Sequence, residues 1–209
     1  VGCGVLAGAG WPGAAVLGAF FVLSSALGRL VQVPRGALES KGERRDPWQV
    51  LANGGAAALG AVLAGDVLVA VWVATASLAA AGADTWATAI GSRSRTPPRL
   101  LLLGRGVQPG TNGGMTLLGT AGAVAGAGVI SAIGALTSGA FALAAWGTLI
   151  GTAGMALDSL LGAVQNVVRC VTWPDEYLLP DDYLAAYRAD GVGDIGVLGD
   201  YYLRVDVLV

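Results

Sequence analysis

From Val67 to Ser92 the chain runs for 26 residues with one charge, Asp84, and no proline. About 20 consecutive apolar residues suffice to cross a bilayer as a helix. A water-soluble helix would need charge along its outer face, and this run has none to offer. Similar runs recur along the chain, so its backbone has to satisfy its own hydrogen bonds inside the membrane, as helices do. Only 12% of the residues are charged, against about 25% in soluble domains. The sequence therefore predicts an all-α polytopic membrane protein.

The breaks between runs place about five spans, at residues 13–30, 48–64, 67–90, 115–137 and 140–165. Residues 1–10 read as the stub of a truncated helix, ended by the breaker GAGWPG at 8–13; they carry neither a basic n-region nor a signal cleavage pattern. The helical membrane domain is expected over 1–165, with a polar, acidic tail over 166–209. Trp11, Trp48 and Trp173 suit interfacial anchors.

The basic residues sort by loop. Arg29, Arg35, Lys41, Arg44 and Arg45 belong to the first long loop and its flank, and Arg93, Arg95, Arg99 and Arg105 to the second. Arg169, Arg188 and Arg204 lie in the tail, which completes the inventory of 12. Five alternating spans put all three segments on one side, which the positive-inside rule makes cytoplasmic. The chain is expected in the cell membrane with basic loops and tail in the cytoplasm.

Two acids lie within spans, Asp84 in the third and Asp158 in the fifth. Both sit one to two turns from the cytoplasmic ends, at a depth similar to Asn53 in the second span. Ser77, Ala81, Asp84, Thr88 and Gly91 share one helical face, as do Gly147, Gly151, Gly154, Asp158 and Gly162. Such small-residue faces let helices approach closely, so both acids are expected to point into the bundle. Intramembrane acids are functional candidates by default. Two carboxylates with amide oxygens suit Mg²⁺, which takes one or two protein carboxylates and phosphate oxygens. That assigns Asp84, Asp158 and Asn53 to a metal. The loop RLLLLGRGVQPGTNGG ends in Gly113–Gly114, expected to open the fourth helix, where free N–H groups and the helix dipole favour phosphate. Thr111 and Asn112 precede the pair, and Lys41, Arg45 and Arg105 can neutralise phosphate charge.

Structural readings compete with these. The acids can simply hydrogen-bond neighbouring helices, the arginines can act only as topology signals, and GTNGG can be only a turn into a helix. Other chemistries are excluded more firmly. No Walker A pattern occurs, and the absence of histidine rules out a Ser-His-Asp triad. Cys3 and Cys170 lack CxxC spacing, so a zinc site is not expected.

At these residues the sequence resembles the transmembrane protein 19 family, the domain of unknown function 92, whose relatives include the plant phytyl-phosphate kinase. The stretches carrying the resemblance are FFVLSSALGRL (20–30), KGERRDPWQVLANGG (41–55), the region 82–120 from GADTWAT to TNGGMTLLGT, and GMALDSLLGAVQ (154–165). The resemblance implies a polytopic helical fold and kinship with CTP-using membrane enzymes. For the phytyl-phosphate branch it implies conversion of a prenyl monophosphate to the diphosphate with CTP or ATP as donor. By position it carries function to Lys41, Asn53, Asp84, Thr85, Thr88, Thr111, Asn112, Gly113, Gly114, Asp158 and Ser159. In the family pattern ADTWAT is followed by Glu, where this chain has Ala89. The family also continues past LDSLLGA into a cysteine-containing loop and another span with an Asn-Asp pair. This chain keeps the cysteine and has an acidic tail in place of that span.

The leading expectation is a lipid-phosphate kinase at the cytoplasmic leaflet, with Asp84, Asp158 and Lys41 catalytic. Arg45, Arg105, Thr111, Asn112, Gly113 and Gly114 would take the nucleotide phosphates. Its partners would be a membrane lipid or prenyl phosphate, and no nucleic acid. The alternative is a small transporter or structural membrane protein in which the acid pair binds a cation.

Overall fold

A computed structural model of the chain describes residues 1–31, 47–100, 106 and 113–172. In chain order the elements are α1 (Gly2–Leu30), α2 (Pro47–Leu63), α3 (Val67–Gly91), β1 (Arg99–Leu100), β2 (Gly114–Met115), α4 (Leu117–Ser138) and α5 (Ala142–Thr172). By length and composition, four helical segments can cross a membrane: Gly2–Leu30, Val67–Gly91, Leu117–Ser138 and Ala142–Val164. Helix α2 is shorter, at 17 residues. The chain divides into two compact units. The first comprises Val1–Ser94 with Leu117–Ala156, the second Arg95–Thr116 with Leu157–Val209.

In the first unit the usual distribution of side chains is reversed. Ala9, Ala57, Ala74, Ala79, Ala83, Ala123 and Ala127 are fully buried, while Leu63, Leu117, Leu136, Phe141 and Trp146 stand exposed. Lipid tails are as apolar as leucine, so burying leucine gains nothing in a membrane. Small residues inside instead bring backbones into contact.

Helix α1 is two arms. Gly10 has φ 61° and ψ −154°, a combination open to glycine and costly to other residues. A straight helix would hold residues 2 and 17 about 22 Å apart. Here a β-carbon on Gly2 would lie 4.0 Å from Leu17 Cδ2, so residues 2–9 fold back along 11–30. Pro12 is tolerated because it falls in the first turn of the second arm, where its missing N–H breaks no bond. The breaker expected at 8–13 thus pivots at Gly10. The arm 11–30 is 20 residues long, about 30 Å at the helical rise. The short arm runs parallel to α2: Val1 packs against Gly54, Gly4 against Ala58, and Gly8 against the Ala61 carbonyl.

From α2 onward consecutive helices of this unit pair antiparallel. Asp66 caps α3, its side chain accepting from the Val69 N–H at 3.0 Å. Between α3 and α4, a β-carbon on Gly126 would lie 2.8 Å from the Gly82 carbonyl oxygen, and one on Gly122 2.9 Å from that of Trp86. In α5, Gly147 packs on Ser131 of α4, while Gly151 and Gly154 pack on Ala79 and Ala80 of α3. The first half of the glycine stripe in α5 is therefore a packing face.

The α3 stripe behaves differently. Asp84 and Thr88 are exposed, and the buried face carries Thr75, Leu78, Ala79, Gly82 and Ala83. Asp84 lies about 200° around the helix from Gly82. The close backbone approach at Gly82 sets the face that turns inward, and Asp84 falls opposite it. Asp158 is exposed too, so neither acid points into the helix packing as the stripes suggested.

In the second unit, the loop expected to be irregular contains a two-stranded antiparallel pair, with Arg99 opposite Met115 and Leu100 opposite Gly114. Helix α4 consequently starts at Leu117, two residues later than expected, and Gly113–Gly114 form a turn and strand rather than a helix start. Helix α5 continues to Thr172, beyond the span end expected at 165.

Candidate functional site

The candidate side chains of the first unit that the structure describes lie in the last two turns of α3. Asp84 and Thr88 are exposed one turn apart, and Thr85 Oγ1 donates to the Ala81 carbonyl at 2.8 Å. The helix ends at Gly91, with Ser92 Oγ donating to the Ala89 carbonyl at 2.7 Å. Exposed Arg93 and Arg95 follow at once. Ala89, where the resemblance leads one to expect Glu, is buried at 7% exposure. It lies about 140° around the helix from Asp84, on a different face.

In the second unit, two motifs distant in sequence meet. Gly113 has φ +78°, a left-handed conformation that favours glycine. A β-carbon there would fall 2.5 Å from the Ser159 carbonyl oxygen, 2.7 Å from Ala163 Cβ and 2.8 Å from Ala163 N. The glycine turn therefore rests directly on the backbone of α5, one residue from exposed Asp158. Leu100, 1% exposed, anchors the strand pair. Gly106 bridges to Arg99, which faces solvent.

Asp84 belongs to the first unit and Asp158 to the second. Asn53 lies in α2, with its side chain outside the described set. Lys41, Arg45, Arg105, Thr111 and Asn112 all lie outside the described residues. Among the described residues no cluster of three or more His, Cys, Asp or Glu could hold a metal. Each acid taken by itself offers the hard carboxylate oxygens that Mg²⁺ takes, and each is exposed.

Sequence reasoning missed the seat of Gly113 on α5. Its signal was present as two small residues, Ser159 and Ala163, spaced by four on one helical face.

Apolar helices of membrane length, packed small-side-inward with large side chains outward, define an all-α polytopic integral membrane protein. Residues 1–174 match the family described as integral membrane protein DUF92, and the chain belongs to that family. It is 34% identical over 148 residues to an uncharacterized membrane protein of Methanocaldococcus jannaschii, an alignment covering 69% of this chain. The chain spans 61% of that relative's length. No solved structure matches it.

Proposed function

We propose that this chain is a nucleoside-triphosphate-dependent kinase of a prenyl or phytyl monophosphate, working at the cytoplasmic leaflet. The observation that carries the reading is the seating of the Gly113 turn on α5 at Ser159 and Ala163, in the turn of helix that also carries Asp158. Gly113 meets residues 46 and 50 positions further along the chain there, and a packing role alone calls for neither the neighbouring acid nor the arginines around the loop.

In the reaction a phosphate oxygen of the prenyl monophosphate attacks the γ-phosphorus of the nucleotide. The bond from that phosphorus to the β–γ bridging oxygen breaks, and the nucleoside diphosphate leaves. Such transfer depends on positioning and on stabilising charge rather than on covalent help from the protein. Backbone N–H groups of the glycine turn are suited to orient nucleotide phosphates. By donor chemistry Asp84, Asp158 and Asn53 are each candidate ligands for Mg²⁺, which would neutralise phosphate charge when bound. Lys41, Arg45 and Arg105 would stabilise charge on the transferring group, and Thr111 and Asn112 would orient it. The isoprenyl chain would lie among the exposed leucines, with the basic loops and tail in the cytoplasm.

The test is purified protein in detergent with Mg²⁺, radiolabelled CTP or ATP, and geranylgeranyl or phytyl monophosphate. Diphosphate should form with wild type and fall at least about 100-fold in Asp84→Asn and in Asp158→Asn. No product from wild type, together with no nucleotide binding, would sink the kinase reading and favour cation binding by the acids.

A further inference from the structure

The contact of the glycine turn with α5 has two sides. Gly113 can approach because it has no side chain; α5 can receive it because residue 163 is alanine. Ala163 is 1% exposed, and both its Cβ and its backbone N lie under the Gly113 α-carbon. On one side of this seat, Leu100 pins the strand that carries Gly114. On the other, Asp158 and Ser159 are fixed in the same turn of α5 as the surface Gly113 touches. Ala163 has almost no exposed surface, so a larger side chain there has to be fitted among neighbours that include Gly113.

We propose that Ala163 is a positioning residue, whose small size sets where the glycine turn sits relative to Asp158. The proposal rests on the phosphotransfer reading for what the turn binds, while the seat itself can be measured without it. A larger side chain at 163 lifts the turn from α5 and displaces its N–H groups. Nucleotide affinity should suffer before the chemical step, because the turn orients phosphates and does not react with them.

The experiment compares Ala163→Ser and Ala163→Val with wild type. Each is made also in a background carrying Cys3→Ser, Cys170→Ser and Gly114→Cys. The maleimide labelling rate at position 114 reports lifting of the turn whether or not the protein is active. Thermal unfolding in detergent reports whether the fold survives. The expected result for Ala163→Val is labelling several-fold faster and a KM for nucleotide at least tenfold higher, with kcat changed less than threefold. Ala163→Ser, one heavy atom larger than wild type, should fall between. Unchanged labelling and unchanged KM in Ala163→Val, with wild type active, would overturn the seat and leave the kinase reading standing. Faster labelling with an inactive wild type would bear out the seat and overturn the kinase reading. A loss of kcat and unfolding midpoint together, with KM unchanged, would overturn a positioning role.

Discussion

Replacing Gly126 by alanine puts a methyl group where α3 and α4 touch. Its carbon would lie 2.8 Å from the Gly82 carbonyl oxygen and 2.8 Å from Trp86 Cγ. Comfortable carbon contacts are about 3.5–4.0 Å, so the helices must part by about 0.7–1 Å. A gap of that size forfeits a quarter to a half of each neighbouring van der Waals contact, and such overpacking costs about 1–3 kcal/mol. Against this, glycine to alanine in a helix returns up to about 1 kcal/mol of propensity. The net expectation is a loss of about 1–2 kcal/mol. Gly128, in the same helix, supplies the control. Its β-carbon would meet Thr148 Oγ1 at 3.7 Å and Cγ2 at 3.9 Å, which is ordinary contact. Gly128→Ala should therefore be neutral or stabilising by up to about 1 kcal/mol. Propensity cancels between the two variants, leaving a difference of about 2 kcal/mol that reports packing alone. Reversible unfolding in mixed micelles, driven by rising denaturing detergent and followed by tryptophan fluorescence, measures it. Equal stabilities would refute the close approach of the two backbones.

Three further outcomes can be read in the same assay. Gly8→Val drives a side chain into the Ala61 carbonyl and should destabilise by about 2–3 kcal/mol through release of the short arm. Asp66→Ala removes the cap on the Val69 N–H and should cost about 1 kcal/mol. The Thr75 hydroxyl is buried with no hydrogen-bond partner among the described residues, so Thr75→Val should leave stability unchanged or raise it. A marked loss there would mean the hydroxyl has a partner.

The helical class was legible in residues 67–92, because a run that long and apolar has few other fates. Stop signals were legible too: Gly10 breaks α1 where GAGWPG predicted a break, and Gly147, Gly151 and Gly154 of α5 face α3 and α4 at the expected spacing. The orientation of Asp84 was not. Both faces of α3 are rich in small residues, and periodicity cannot say which of them a neighbour will take. That choice was made by Gly82 meeting Gly126, a pairing of distant residues. The strand pair at Arg99–Leu100 and Gly114–Met115 was hidden for another reason: two residues a side are too few to show alternation. At the candidate site the turn at Gly113 was legible as a glycine pair. The contact of that turn with Ala163 was not, since it depends on a helix 50 residues away.

The α3–α4 seam also has a thermal consequence. Contacts made by Gly82, Gly122 and Gly126 expel almost no water, because helices already in lipid are dry before they pair. The heat-capacity change that weakens ordinary protein cores on cooling comes from hydration of apolar surface, and this seam has little of it. Its strength is dispersion and close backbone approach, which are enthalpic. The pairing of α3 with α4 should accordingly tighten steadily as temperature falls, with no cold limit of the kind that bounds a water-soluble domain.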